Sequence, residues 1–471
     1  MDHTKILSIL EEEYEKTQSL SRGQLETLSK QYDIPLSQLA GTASFYSKFQ
    51  HGKMGQVSSC RVPERPLPGE VRRILSQPRD YEGLKAALED PEGILEKITA
   101  SGLRGRGGAG FPVGMKWKTT KDVDAPIKYV VVNADEGEPD TAKDGEILRR
   151  IPHAVIEGMA ICALCVGAEK GYVYIRAEYP EARRILEDEV TRARSEGYLG
   201  NHICGTDFAF DVEVVFGAGS YVCGEETALL SSLEGQRGEP RLKPPFPGVA
   251  GLFQMPTVIN NTETMANVPL ILREGPEEYR KYGTEKHTGT KLYTVCGLVD
   301  HPGVYEFPVG IPIRTVLEAV GCDTKQIKAL QVGGGVSGGL IGSDQLDATL
   351  DIEGMAAAGG SLGTGSIRVF GQKANMAALC RDVAEFFADE SCGKCTPCRF
   401  GTGQIASLLT DLTEGRGTAE TAAELREMST YLTDNARCAF GAAASTVMLS
   451  AMRLFPEEFG EKKENSVGGE A

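Results

Sequence analysis

The spacing of apolar residues changes along the chain, and each change predicts a different kind of element. Near the start, Ile6, Leu7, Leu10 and Tyr14 recur at three- and four-residue intervals, one face of a helix. Ser21 stands where its hydroxyl can cap a second helix carrying Leu25, Leu28 and Tyr32. Pro35 suits the first turn of a third. Residues 1–50 therefore read as short helices. A piece this small cannot bury much core alone, so it is expected to pack on something else and to dock a partner subunit through its apolar faces. Residues 51–97, rich in Gly, Pro and Arg up to about residue 80, read as a linker.

From 98 to 290 the pattern becomes strand, helix, strand. Residues 129–133 are a short β-branched run, as in a strand buried on both faces. Residues 152–167 are an apolar helix, 171–176 the next strand, and Phe210, Val212 and Val214 alternate into a glycine turn at Gly217. This order predicts a doubly wound, Rossmann-like α/β domain with ligands at the loop ends of its strands. Residues 291–372 carry short strands (292–296 and 367–370) around a helix at 313–320, the pattern of a small β-grasp domain. Residues 373–458 are helical, with Ile405, Leu408 and Leu412 on one face, and the polar tail, 459–471, is expected to be disordered.

Composition narrows the function. No run of about 18 apolar residues exists, so no transmembrane helix is expected. The N-terminus is acidic after a short apolar stretch and lacks a small-residue cleavage site, so a cytoplasmic chain is expected. With 50 Lys and Arg against 66 Asp and Glu, the net charge of −16 argues against nucleic acid as a partner. The 56 glycines in 471 residues exceed the usual share of roughly 7% and cluster between apolar segments, as in loops wrapped around ligands. The 12 cysteines point to metal or redox chemistry before disulfides.

Cys392, Cys395 and Cys398 are spaced three apart, so one tight loop can aim three thiolates at one face of a cubane; Cys438, 40 residues on, is the natural fourth ligand. This predicts a [4Fe–4S] cluster, with a four-thiolate zinc as the rival. Lys394 and Arg399 stand beside the ligands and can offset a cluster's negative charge. Cys162 and Cys165 have the same spacing but lie inside an apolar helix, where they read as small hydrophobic residues. Cys60, Cys204, Cys296, Cys322 and Cys380 are isolated and read as structural.

A second set of motifs concerns nucleotides. Residues 102–111 form a glycine-rich loop with Arg104 and Arg106, suited to approaching a phosphate; its Gly105-x-Gly107-x-x-Gly110 spacing is a weak signal alone. It is joined by Asn133-Ala-Asp-Glu-Gly-Glu-Pro139, by Gly219-Ser-Tyr-Val-Cys-Gly-Glu-Glu-Thr227, by Arg241-Leu-Lys-Pro-Pro-Phe-Pro247 and by Thr257-Val-Ile-Asn-Asn-Thr-Glu-Thr264. Together these resemble the flavin- and NADH-binding subunit of respiratory complex I and its relatives in soluble NAD-linked hydrogenases, formate dehydrogenases and electron-bifurcating complexes. The resemblance covers roughly residues 95–456. Residues 1–50, ending in Gly41-Thr-Ala-Ser-Phe-Tyr46, resemble the helical start of that family's thioredoxin-like partner subunit.

The resemblance implies FMN, one [4Fe–4S] cluster, NAD(H) as substrate and an SLBB-type β-grasp domain. It places Gly105, Arg106, Gly107, Gly110 and Lys116 around the flavin. Asn133, Asp135, Glu136, Gly224, Glu225, Asn260, Asn261 and Thr264 are further flavin contacts. Phe111, Glu138, Tyr221, Glu226, Lys243 and Phe246 are assigned to the nicotinamide nucleotide, with the two phenylalanines stacking on adenine and the carboxylates accepting ribose hydroxyls. Thr119 departs from the family, which has an aromatic there. Only Cys60 lies in the first 100 residues, so no N-terminal [2Fe–2S] centre is expected. The implied activity is hydride transfer between NAD(P)H and FMN, then single electrons through the cluster to a partner. A bifurcating subunit and a non-catalytic scaffold are the alternatives. A thioredoxin-like [2Fe–2S] subunit and a further iron–sulfur or catalytic subunit are the implied partners. NAD(H) is favoured over NADP(H), because Glu138 and Glu226 would repel a 2′-phosphate, whereas Arg237 and Arg241 are cations that could accept one.

Overall fold

The computed structural model describes residues 3–51 and 57–460. A parallel sheet organises the first half: β1 (Tyr129–Ala134), β2 (Lys170–Ile175), β3 (Asp211–Phe216) and β4 (Thr257–Asn261), in spatial order β3-β2-β1-β4. The strand alternation assigns its two faces. Val130, Val132, Val173 and Ile175 join the core built with the helices Pro152–Val166 and Thr262–Glu274, whereas Val131, Tyr172 and Tyr174 point the other way. Both faces are covered, which is why β1 reads as an unbroken apolar run. The order reverses between β1 and β4, and in open α/β sheets such a reversal leaves a crevice beyond the carboxyl ends of the strands.

The second face of the sheet is covered by the N-terminal helices α1 (Ile6–Thr17), α2 (Arg22–Tyr32) and α3 (Leu36–Ala43). Ser21 caps α2 in a reciprocal capping box with Gln24, and Pro35 is the residue before α3 rather than its first turn. Ile6, Leu7, Leu10, Leu25 and Leu28 are all buried against Val131, Tyr172, Tyr174 and Val215. The expected docking face is thus corrected: it is occupied by the chain's own sheet. Exposing these five residues would forfeit on the order of 10 kcal/mol. Tyr46 fastens the segment by donating to Ser232 Oγ (2.7 Å), and Thr42 donates to Gly235 O (2.9 Å).

The stretch read as a linker is also corrected. Cys60, Val62, Ile74, Tyr81, Leu84 and Ile94 are buried in the main core, and two helices, Glu82–Glu89 and Ile94–Ser101, form within or across its end. Its backbone donors are met by buried carboxylates from elsewhere: Glu146 takes Val62 N, Glu306 takes Ile74 N and Leu75 N, and Glu157 takes Leu84 N. Composition showed a lack of regular structure there, but not these distant acceptors.

A five-stranded mixed sheet follows: β5 (Thr290–Gly297), β6 (Gly303–Pro308), β7 (Ile327–Val332), β8 (Gly339–Gly342) and β9 (Ser366–Gly371), ordered β6-β5-β9-β7-β8. Only β5 and β9 run parallel, and the helix Ile313–Ala319 packs on the sheet in a β-grasp arrangement. The remaining helices, Met376–Glu390, Thr396–Thr413, Ala419–Asn435, Ala439–Ala443 and Thr446–Leu454, share a core that reaches Val222 and Ala228 of the first domain. Phe459, placed in the expected disordered tail, is buried; residues 461–471 lie outside the described residues. Among the described residues no helix is long and apolar enough to cross a membrane.

Candidate cofactor and cluster site

A cavity of about 520 Å³ opens where the strand order reverses. One side is made by Gly107, Gly108 and Ala109 of the glycine-rich loop, Asn133, Asp135 and Glu136 beyond β1, Gly224 and Glu225 at the start of the helix Glu226–Leu233, and Asn261 at the end of β4. Gly107 lies close against Asn261: a Cβ there would be 3.0 Å from the Cβ of Asn261. Asn133 ties two of these loops together by donating to Gly224 O (2.8 Å).

Sequence reading missed the opposite side. Lys143 and Asp144 line the cavity, as do Gly333, Ser337, Ile352 and residues 360–364 of the β-grasp domain, and Ala439, Phe440 and Ala443 of the helical region. The signal available for Lys143 was a lysine just after an acidic strand end, which reads equally well as a solvated charge.

The cavity is electrostatically tuned by burial. Lys143 is 1% exposed and meets Asp144 Oδ1 (2.7 Å), Glu263 Oε2 (3.1 Å) and Asn261 Oδ1 (3.1 Å). Burial alone would strip its proton, but Asp144 and Glu263 outweigh burial and raise its pKa. Lys291 lies behind it with a poorer balance: burial pushes it down to about 8 despite Glu263 at 3.4 Å. Glu136 is fully engaged, accepting from Asp144 N (2.9 Å), Gly145 N (3.0 Å) and Tyr179 Oη (2.8 Å), and burial with Asp144 nearby raises its pKa. Asp135 differs. Its Oδ2 is buried without a hydrogen-bond partner among the described residues, and burial pushes its carboxyl up to about 8.

This donor and acceptor set fits a flavin mononucleotide. Ribityl hydroxyls can donate to the unmet oxygen of Asp135, and the glycine backbone at residues 107 and 108 allows a phosphate close approach.

Several expected contacts serve the cavity from behind. Arg106 turns away, donating to Thr288 O (2.7 Å) and Tyr279 Oη (3.3 Å), while its backbone N–H is held by Thr264 Oγ1 (2.8 Å). Gly105 N bonds Phe111 O, Gly110 packs beside Ile352, and Asn260 accepts from Trp117 Nε1 (2.9 Å). Lys116 donates to Ile259 O (2.9 Å) and pairs with Glu226 (3.2 Å). None of these six side chains or glycines is on the cavity surface; they shape the loop and the sheet edge.

The residues assigned to the nucleotide divide. Glu138 and Tyr221 line the cavity, but the Glu138 carboxylate is already taken by Val336 N, Ser337 N (both 2.9 Å) and the Tyr221 hydroxyl. These three bonds leave about one acceptor position and fix the carboxylate in place. Phe111 and Phe246 are 49% and 58% exposed, with rings available for stacking. Lys243 pairs with Glu225 (2.9 Å) and Glu226 (2.8 Å); burial works against it, but Lys116 and Lys243 hold the Glu226 carboxyl below its usual range. Thr119 is exposed, near Gly248.

The cysteines converge from two helix starts. Cys395 precedes the helix Thr396–Thr413, Cys398 lies in its first turn, and Cys438 precedes the helix Ala439–Ala443. Free N–H groups and the positive ends of helices favour thiolates and an anionic cluster. All four cysteines pack against one apolar cluster, and burial pushes the Cys398 thiol up to about 11, with Cys395, Cys392 and Cys438 close enough to add to it. Among the described residues no three ligating side chains close on a single metal ion; an iron–sulfur cube, wider than an ion, does not need them to. Lys394 is paired with Glu239 (2.8 Å), and Arg399 lies over the Phe400 ring, so neither charge is simply solvated. Cys392 borders a second cavity, about 900 Å³, which shares Asp135, Gly137 and Tyr221 with the first.

Comparison with known proteins agrees with this geometry. Residues 98–270 match the family described as Nuo51 FMN-binding domain, and residues 378–462 match the NADH-ubiquinone oxidoreductase-F iron-sulfur binding region. The chain is 42% identical to an NADP-reducing hydrogenase subunit HndC of Solidesulfovibrio fructosivorans, over 81% of this chain and 78% of that one. It is 44% identical to an F-type NADH-quinone oxidoreductase subunit of Rhizobium meliloti, over 80% of this chain and 91% of that one. A crystal structure of an NAD+-reducing [NiFe]-hydrogenase in the H2-reduced state superposes with a TM-score of 0.85 at 28% identity, covering 99% of this chain and 94% of the other. The chain therefore belongs to the family of flavin-binding, F-type subunits shared by NADH-quinone oxidoreductases and NAD(P)-linked hydrogenases, and is the NADH-oxidising, FMN- and [4Fe–4S]-carrying member of a multi-subunit oxidoreductase.

Proposed function

We propose that FMN occupies the 520 Å³ cavity and that Cys392, Cys395, Cys398 and Cys438 hold the [4Fe–4S] cluster. Bound FMN supplies a two-electron acceptor able to release electrons singly, and the cluster a one-electron relay. The observation that carries the reading is a shared wall: Ala439 and Phe440 line the cavity and follow directly on Cys438. Tyr221, also on the cavity surface, packs on Phe440 and Phe386 (ring centroids 5.7 and 5.1 Å), so aromatic rings line that wall. Asp135 takes a ribityl hydroxyl. Glu225 and Glu226 position Lys243, and Phe111 and Phe246 offer rings to the adenine.

NAD(H) is the nucleotide. Arg237 is paired with Glu239 (2.9 Å) and lies over Phe45, while Arg241 is held by Glu234 (2.7 Å) and Gly251 O (3.2 Å), so both cations are committed away from a 2′-phosphate. The partners are a thioredoxin-like [2Fe–2S] subunit and a further iron–sulfur subunit, and the chain works in the cytoplasm, readings supported by the family motifs. The test is dye reduction by protein reconstituted anaerobically with FMN and iron. NADH should bleach the flavin and be preferred over NADPH by a kcat/KM ratio above roughly 100. A ratio near one, or a flavin that NADH leaves oxidised, would overturn the reading.

A further inference from the structure

The region that matches an FMN-binding domain ends at residue 270, yet the cavity does not. Its far wall comes from two turns of the β-grasp domain, one after β7 (Gly333, Ser337) and one before β9 (Ser361, Leu362, Thr364). The turns interlock at backbone distance. A Cβ on Gly363, at φ +46°, would fall 2.1 Å from Gly333 O, and Thr364 N donates to the same oxygen (2.8 Å). Only glycine permits that approach, and its result is a continuous surface turned toward the cavity rather than toward solvent.

This wall is fastened to the strand-end loop that builds the opposite side. Glu138 accepts from Val336 N and Ser337 N, Gly335 N donates to Pro139 O (3.0 Å), Arg368 pairs with Asp140 (3.2 Å), and the Thr141 and Thr364 hydroxyls bond at 3.0 Å. Every residue from 138 to 141 thus holds the β-grasp domain. These directional, partly buried bonds tie the β-grasp domain to the loop that carries Asp135 and Glu136.

We propose that the β-grasp domain is part of the flavin-binding site: Ser337, Ser361 and Leu362 contact the bound flavin mononucleotide, and the anchored turns keep it from leaving. This rests on the reading that FMN occupies the cavity, and the experiment separates the two. Ser361 is half-buried on the cavity surface, so Ser361→Trp places an indole in the space of the ligand. FMN affinity of the full apo-chain is measured by quenching of flavin fluorescence, alongside Glu318→Trp, an exposed position on the same domain, and circular dichroism of each variant. Wild type and Glu318→Trp should bind alike, and Ser361→Trp at least 10-fold more weakly. Should the indole prevent folding, Ser361→Leu, a smaller intrusion, should weaken binding at least 3-fold. Folded Ser361 variants that bind within 2-fold of wild type overturn the inference while leaving FMN in the chain. Wild type that binds no FMN overturns the underlying reading instead.

Discussion

Two regions carry the same cysteine spacing and put it to opposite uses. Cys162 and Cys165 sit in the last turns of the helix Pro152–Val166, at its negative end, buried on almost every side. Burial raises both thiols, Cys165 to about 11. Cys392 and Cys395 sit where a helix begins, partly exposed, with Cys398 and Cys438 beside them. Within a helix every backbone N–H is committed to the carbonyl four residues back, so nothing remains to stabilise a thiolate. At a helix start the first N–H groups are free and the dipole is positive, so thiolates and an anionic cluster are favoured. Burial raises thiols in both places, Cys398 to about 11 as well; what sets the second group apart is the free N–H groups of the helix starts and the two further cysteines beside it.

The comparison breaks most visibly through the cluster. Cys395→Ser should abolish the [4Fe–4S] signal and lower bound iron at least several-fold, while FMN stays bound and NADH still bleaches it. Iron content and low-temperature EPR of the reduced protein check this, and normal iron would refute the ligand assignment. A smaller effect concerns Glu157 on the buried helix, 2% exposed, whose carboxyl is pushed up to about 7 by burial. An unfolded Glu titrates near 4.3. Between about pH 4.3 and 7 the unfolded chain has released this proton and the folded chain has not, so the contribution of Glu157 to stability falls as pH rises through that window. Relative to Glu157→Gln, wild type should lose about 2 kcal/mol between pH 5.5 and 7.5 in urea unfolding. A difference independent of pH would show that the carboxyl is already ionised. The smallest effect is expected for Cys162→Ser, which buries a hydroxyl in an apolar site at about 1 kcal/mol, with iron and FMN contents unchanged. Loss of iron in that variant would erase the contrast between the two pairs.

The cofactor site shows a similar division between what is local and what is not. The glycine-rich loop, the acidic strand end and the cysteine triple were each visible because their chemistry lies within ten residues. Three groups look freer in the sequence than they are, for one reason. Arg106, Glu138 and the apolar faces of α1 and α2 all look available in sequence, and each is consumed by a distant partner: Thr288 O, Val336 N and the sheet. Lys143 and the β-grasp wall failed in the opposite sense, because nothing nearby marks them, and they enter the site only when Asn261 and the turn before β9 are brought against them.

By itself the sequence determined most of the elements and the two-sided burial of the sheet, through the unbroken apolar run of β1 and the helical spacing in α1 and α2, and it marked the cysteines suited to ligating iron. These depend on side-chain direction over a few bonds. Only the tertiary structure decided which carboxylates and cations remain free. Glu138 and Val336 are 198 residues apart, and whether a buried polar group is spent or waiting depends on what packing places within 3 Å of it, a distance that no local pattern encodes.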